Sequence, residues 1–69
     1  MNRATVDLDA LKQHRTELGY SISDIADYLG YKTPTGYWLI EKGERSCNVS
    51  VLYSLSQLFN VTMEQLLVV

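Results

Sequence analysis

The 69 residues are 46% hydrophobic and 20% charged with one proline, which supports one compact core and excludes an extended disordered chain. Six basic against eight acidic residues leave a net charge of −2 and a pI near 5.1, which excludes a basic excess spread over the whole surface. A single cysteine, Cys47, excludes an intramolecular disulfide and a multi-thiolate zinc site.

The start, MNRATVDLDALK, has no apolar run and carries two acids, unlike a secretory signal. No stretch has the length needed to cross a bilayer, so a reducing, cytoplasmic compartment is expected. The triplets Asn48-Val49-Ser50 and Asn60-Val61-Thr62 then read as helix starts and not as glycosylation sites.

The elements predicted in chain order are short helices joined by brief turns. Leu8, Leu11, Arg15 and Leu18 recur at steps of three and four, one face of a first helix capped by Asp7 and stopped by Gly19. Ser21 and Asp24 form a capping-box pattern ahead of Ile25, Ala26 and Leu29, a second helix closed by Gly30. Thr33 as cap and Pro34 at the first helical position open a third helix, with Tyr37 and Ile40 inward and Gly43 at its end. Asn48 caps a fourth helix, whose inward face is Val49, Leu52, Leu55, Leu58 and Phe59. Thr62 with Gln65 opens a short fifth helix that turns Leu66 and Leu67 inward. Residues 1–69 therefore read as one all-α domain of five helices, without repeats or linkers.

The second and third helices, joined by a tight glycine-containing turn, are the parts of a helix-turn-helix DNA reader. Ala26 suits a close crossing of the pair, and Gly30 suits a sharp turn at positive φ. The chain resembles the Cro/CI (XRE-type) helix-turn-helix family from end to end, on LKQHRTELGYSISDIADYLG, then GYWLIEKGERS, then LYSLSQLFNVTMEQLL. The resemblance implies a compact repressor-like fold and a transcriptional regulator, a repressor above all, that binds double-stranded DNA as a homodimer. It also implies a bacterial or phage-encoded, nucleoid-associated protein.

By the same resemblance, Arg15 and Glu41 form a partly buried ion pair that holds the reading helix. Pro34, Thr35, Trp38 and Leu39 occupy the base-reading positions. Thr33, Lys42, Arg45 and Ser46 fall where family members touch phosphates, and Ser21 and Ile22 face the DNA backbone. Tyr31 and Lys32, in the turn, join this surface, since tyrosine hydroxyls commonly meet phosphates.

The chain departs from the family in three ways. Ile22 stands where the family favours glutamine, the stretch from Gly30 to Glu41 is one residue longer than usual, and the reading face has few long polar side chains. Thr35 can meet a base edge or a thymine methyl, whereas Trp38 and Leu39 offer apolar contact and one indole donor. Local charge supports DNA contact, because Lys32, Lys42 and Arg45 outnumber Glu44 once Glu41 is paired. The acids Asp7, Asp9, Asp24 and Asp27 are expected away from the phosphates.

Trp38 has two readings, against a base or packed beside Tyr31 or Tyr28. Tyr20, Tyr28 and Tyr53 read as half-buried, His14 as a solvated surface residue and Cys47 as a semi-buried small apolar residue. One histidine without a placed acid partner makes a nucleophilic triad implausible, and no metal, cofactor or small-molecule substrate is expected. The terminal run Leu66-Leu67-Val68-Val69 suggests a homodimer contact through Leu66, Val68 and Val69, or a patch covered by a further domain. The competing function is a protein-interaction module of the same fold, an antirepressor or antitoxin-like partner, supported by the acidic pI, Ile22 and the apolar Trp38–Leu39 face.

Overall fold

The computed structural model describes residues 5–68. In chain order these form β1 (Thr5–Val6), α1 (Leu8–Glu17), α2 (Ile22–Leu29), α3 (Thr35–Lys42), α4 (Val49–Phe59), a one-turn 3₁₀ helix (Met63–Leu66) and β2 (Leu67–Val68).

Most of these elements start where a side chain can satisfy an otherwise orphaned backbone donor. Asp7 accepts the Ala10 N–H at 3.1 Å, and Asn48 accepts the Val51 N–H at 2.9 Å. Ser21 and Asp24 satisfy each other's backbone N–H at 3.0 and 2.9 Å. That bond from the Ser21 backbone holds the Asp24 carboxyl below its ordinary pKa. Thr62 and Gln65 make the same reciprocal pair ahead of the 3₁₀ turn. The start of α3 differs from the expected arrangement. Thr33 gives no hydroxyl cap; only its carbonyl accepts, from the Gly36 N–H at 3.3 Å, and Pro34 itself occupies the cap position in helical geometry.

Two glycines set the ends of the helix-turn-helix. Gly30 lies at φ +84° and donates its N–H to the carbonyls of Ala26 and Asp27, which turns the chain from α2 toward α3. Gly43 lies at φ +83°, and a Cβ there would sit 2.8 Å from the Leu8 side chain. Ala26 on α2, four residues before Gly30, is fully buried and small, which suits the packing of α2 on α3.

The core gathers Leu11 from α1, Ile25 and Ala26 from α2, Tyr37 and Ile40 from α3, and Leu52, Leu55 and Phe59 from α4. Leu66 closes it from the 3₁₀ turn. Two residues assigned to inward faces lie outside. Leu18 is exposed beyond the end of α1, and Val49, 73% exposed, overhangs the first turn of α4, whose buried stripe begins at Leu52. His14 moves the other way. It is half-buried, with its ring stacked 5.8 Å from that of Phe59, because it follows Leu11 by three residues and shares that side of α1.

The described residues form four α-helices and not five, and they are not purely helical. After a single 3₁₀ turn the chain extends at Leu67 (φ −117°, ψ 148°). It pairs antiparallel with β1, Thr5 opposite Val68 and Val6 opposite Leu67. The β-branched Val68 and the Thr5-Val6 pair suit this geometry, and the Asp7 N–H donates to the Leu66 carbonyl at 2.8 Å beside it. Of the residues expected at a dimer contact, Leu66 is corrected, because it is fully buried in the chain's own core. Val68 is 49% exposed on β2, and Val69 lies outside the described residues.

Gly36 is a buried helical glycine whose role the sequence pattern did not reveal. A Cβ there would meet the Tyr31 ring at 2.8 Å, so the glycine lets the turn's tyrosine pack closely against α3. An exposed Gly→Ala change in a helix interior stabilises by roughly 0.5–1 kcal/mol. Gly36→Ala should instead destabilise by about 1–3 kcal/mol through overpacking, read from a denaturant melt; a gain in stability would show that Tyr31 does not rest there.

Candidate nucleic-acid interface

The side chains of α3 divide into two faces. Gly36, Tyr37 and Ile40 are buried, whereas Thr35, Trp38 and Lys42 are exposed and Leu39 is half-buried. The latter four recur at i, i+3, i+4 and i+7, an outward stripe about one helix-width across.

The flank of α3 beside this stripe is tied to α1 by one polar cluster. Arg15 Nε donates to Glu41 Oε2 and Nη2 to Oε1, both at 3.0 Å, while Nη1 donates to the Tyr20 carbonyl at 3.0 Å. The pair is 12% and 9% exposed. Its bidentate geometry offsets the desolvation of both ions, and the Glu41 bonds push the Arg15 pKa further up. The Tyr37 phenol lies beneath. Burial pushes its pKa well up, the Glu41 charge adds to this, and its hydroxyl has no hydrogen-bond partner among the described residues.

Exposed residues flank α3 at both ends. Lys32, Thr33 and Pro34 precede it, and Arg45 and Ser46 follow it, all exposed. No side chain caps the helix start, where the Thr33 and Pro34 carbonyls take the Gly36 and Trp38 N–H groups. Ser21 is exposed at the start of α2, although its hydroxyl already accepts the Asp24 N–H. Ile22 is half-buried against the core, and Tyr31 is half-buried over Gly36.

Trp38 stands in the outward stripe of α3, beside Lys42. It is 45% exposed and outside the core, and the Lys42 ammonium sits 4.0 Å from its ring centroid. Lys42 also pairs with Glu44 at 2.9 Å. Both members of that pair are exposed, so the bond is worth about 1 kcal/mol or less and can be exchanged for a phosphate. Among the described residues flanking α3, Lys32 and Arg45 are the cations without an ion pair. Two acids lie near this surface. Asp9 lines a hollow shared with Trp38 and Lys42, and Asp24 caps the helix beside Ser21.

No group of three or more potential ligands that could hold a metal ion occurs among the described residues, and none of their helices is long and apolar enough to cross a membrane. Cys47 is half-buried, and burial pushes its thiol pKa up, away from a reactive thiolate.

A short helix held at a glycine turn, one flank locked to α1 and its outward stripe bare, defines a helix-turn-helix DNA-binding domain of the transcription-regulator class. The model of the Helix-turn-helix family matches residues 11–66, and the chain belongs to this family, of Cro/CI (XRE) type. Members are DNA-binding regulators and not, in general, enzymes. Neither the curated proteins nor the solved structures compared with the chain gave a match.

The Arg15–Glu41 pair gives a direct test. Glu41→Ala leaves a guanidinium stranded against the core, at a cost on the order of 3–5 kcal/mol. For a domain this small, thermal melting should fall by well over 10 °C, with unfolding near physiological temperature. A melt that overlays the parent's would contradict the role given to the pair.

Proposed function

We propose that the chain is a sequence-specific regulator, acting as a repressor, that inserts α3 into the major groove of double-stranded operator DNA as a homodimer on a palindrome. The observation that supports this most is the bare stripe of Thr35, Trp38, Leu39 and Lys42 on a helix whose flank is pinned to α1. Thr35, with Pro34 beside it, meets base edges by hydrogen bond and methyl contact, and Leu39 and the Trp38 edge add apolar contact. Lys32, Thr33, Lys42, Arg45 and Ser46 meet phosphates, with Ser21, Ile22 and Tyr31 along the backbone.

Val68, exposed on a sheet edge, remains available to a second copy in such a dimer. About three cationic phosphate contacts per subunit, some six per dimer, imply a log–log salt slope of about −5.

A second reading has one observation in its favour. Lys42 is held by both Trp38 and Glu44, which leaves the α3 stripe nearly neutral and suited to an apolar protein partner, as an antirepressor would use it.

Selection of bound sequences from random duplex DNA separates the two. The regulator reading predicts a palindrome with half-sites about one helical turn, roughly 10 bp, apart. Thr35→Ala should then relax the preference at one base pair of each half-site while the melt stays unchanged. No enrichment, with salt-insensitive binding to a protein partner, would establish the second reading instead.

A further inference from the structure

A hollow of about 370 Å³ lies beside α3, on the side facing α1. Trp38 and Lys42 of α3 form one wall, Ile22 at the start of α2 another, and Leu8 and Lys12 of α1 the third. The Arg15–Glu41 pair also lines it. We propose that this hollow seats a backbone phosphodiester of the bound duplex, with Lys12 as its cationic partner, so that the DNA footprint extends onto α1. The inference rests on the DNA-binding reading and adds to it a residue and an element that the family resemblance did not supply.

Three features carry the assignment. The first is position, because Ile22, Trp38 and Lys42 belong both to the hollow and to the face that meets DNA, so a duplex lying along α3 passes its mouth. The second is wall chemistry. Carbon from Leu8, Ile22 and the indole suits a deoxyribose, while ammonium groups from Lys12 and Lys42 suit the adjoining phosphate.

The third feature is charge availability. Arg15 is occupied by Glu41 and the Tyr20 carbonyl. Lys42 is shared between Trp38 and Glu44. Lys12, exposed on α1, forms no ion pair among the described residues and can turn toward an incoming anion. Asp9 stands in the same hollow and opposes that anion. The two residues therefore have effects of opposite sign on DNA binding, which a structural role for either would not produce.

The test is fluorescence anisotropy of the full chain on its selected operator duplex across a salt series. Lys12→Gln should weaken binding several-fold at low salt and flatten the log–log salt slope by about 0.9 for each subunit bound. Lys12→Arg should restore the slope, and Asp9→Asn should tighten binding at low salt. Lys12→Gln with the parent's affinity and slope overturns the proposal while leaving the regulator reading intact. A parent chain with no salt-dependent duplex binding takes both down together.

Discussion

The arrangement of α3 depends on one ion pair. Glu41 sits near the end of α3, Arg15 on α1, and the third guanidinium bond reaches the Tyr20 carbonyl ahead of α2. Three segments are thereby referenced to one planar group. A planar fork with fixed donors sets rotation as well as distance, which an apolar contact would leave loose. The roll of α3 about its own axis decides which residues face outward. With Glu41 held inward, Tyr37 and Ile40 turn into the core and Thr35, Trp38 and Lys42 are left in solvent.

The surrounding packing is consistent with that roll. Gly36 admits the Tyr31 ring against the helix start, and Gly43 admits Leu8 at its end. Both ends of α3 are therefore seated on close approaches to glycine backbone. Such contacts hold a helix with little side-chain entropy to lose. The outward stripe can then meet a partner without first being ordered, which favours affinity for a given contact area.

Much of this was legible in the residues. Asp7, Ser21 with Asp24, Asn48 and Thr62 with Gln65 each mark a start because a short polar side chain beside an apolar period has one dominant local use. Gly30 and Gly43 mark ends for a comparable reason. The chain's last turn was harder to read. A capping box specifies how a helix begins and says nothing of its length, and the four residues after Thr62 run into an extended valine-containing end. A two-residue strand has no period to detect, so the β1–β2 zipper, and with it the burial of Leu66, depends on tertiary pairing.

At the candidate interface the division follows the same line. Outward positions on α3 could be read from spacing, since Tyr37 and Ile40 fix the inward side. The state of the charges could not. Lys42 was legible as a cation, but its position over Trp38 and beside Glu44 depends on rotamers that spacing does not reveal. His14 was misplaced for a related reason, since it lies at the margin of α1 where Phe59 of α4 decides its exposure. The central proposal is that the bare stripe of α3 enters the groove, flanked by backbone contacts from α1, the turn and the loop after α3, while α4 and the core hold it in place. Titration of isotope-labelled protein with its operator duplex, followed by backbone amide NMR shifts, tests this most directly. The account predicts the largest shifts at Thr35, Trp38, Leu39 and Lys42, with α4 little changed. Shifts concentrated on α4 or β2, with α3 unmoved, would contradict it.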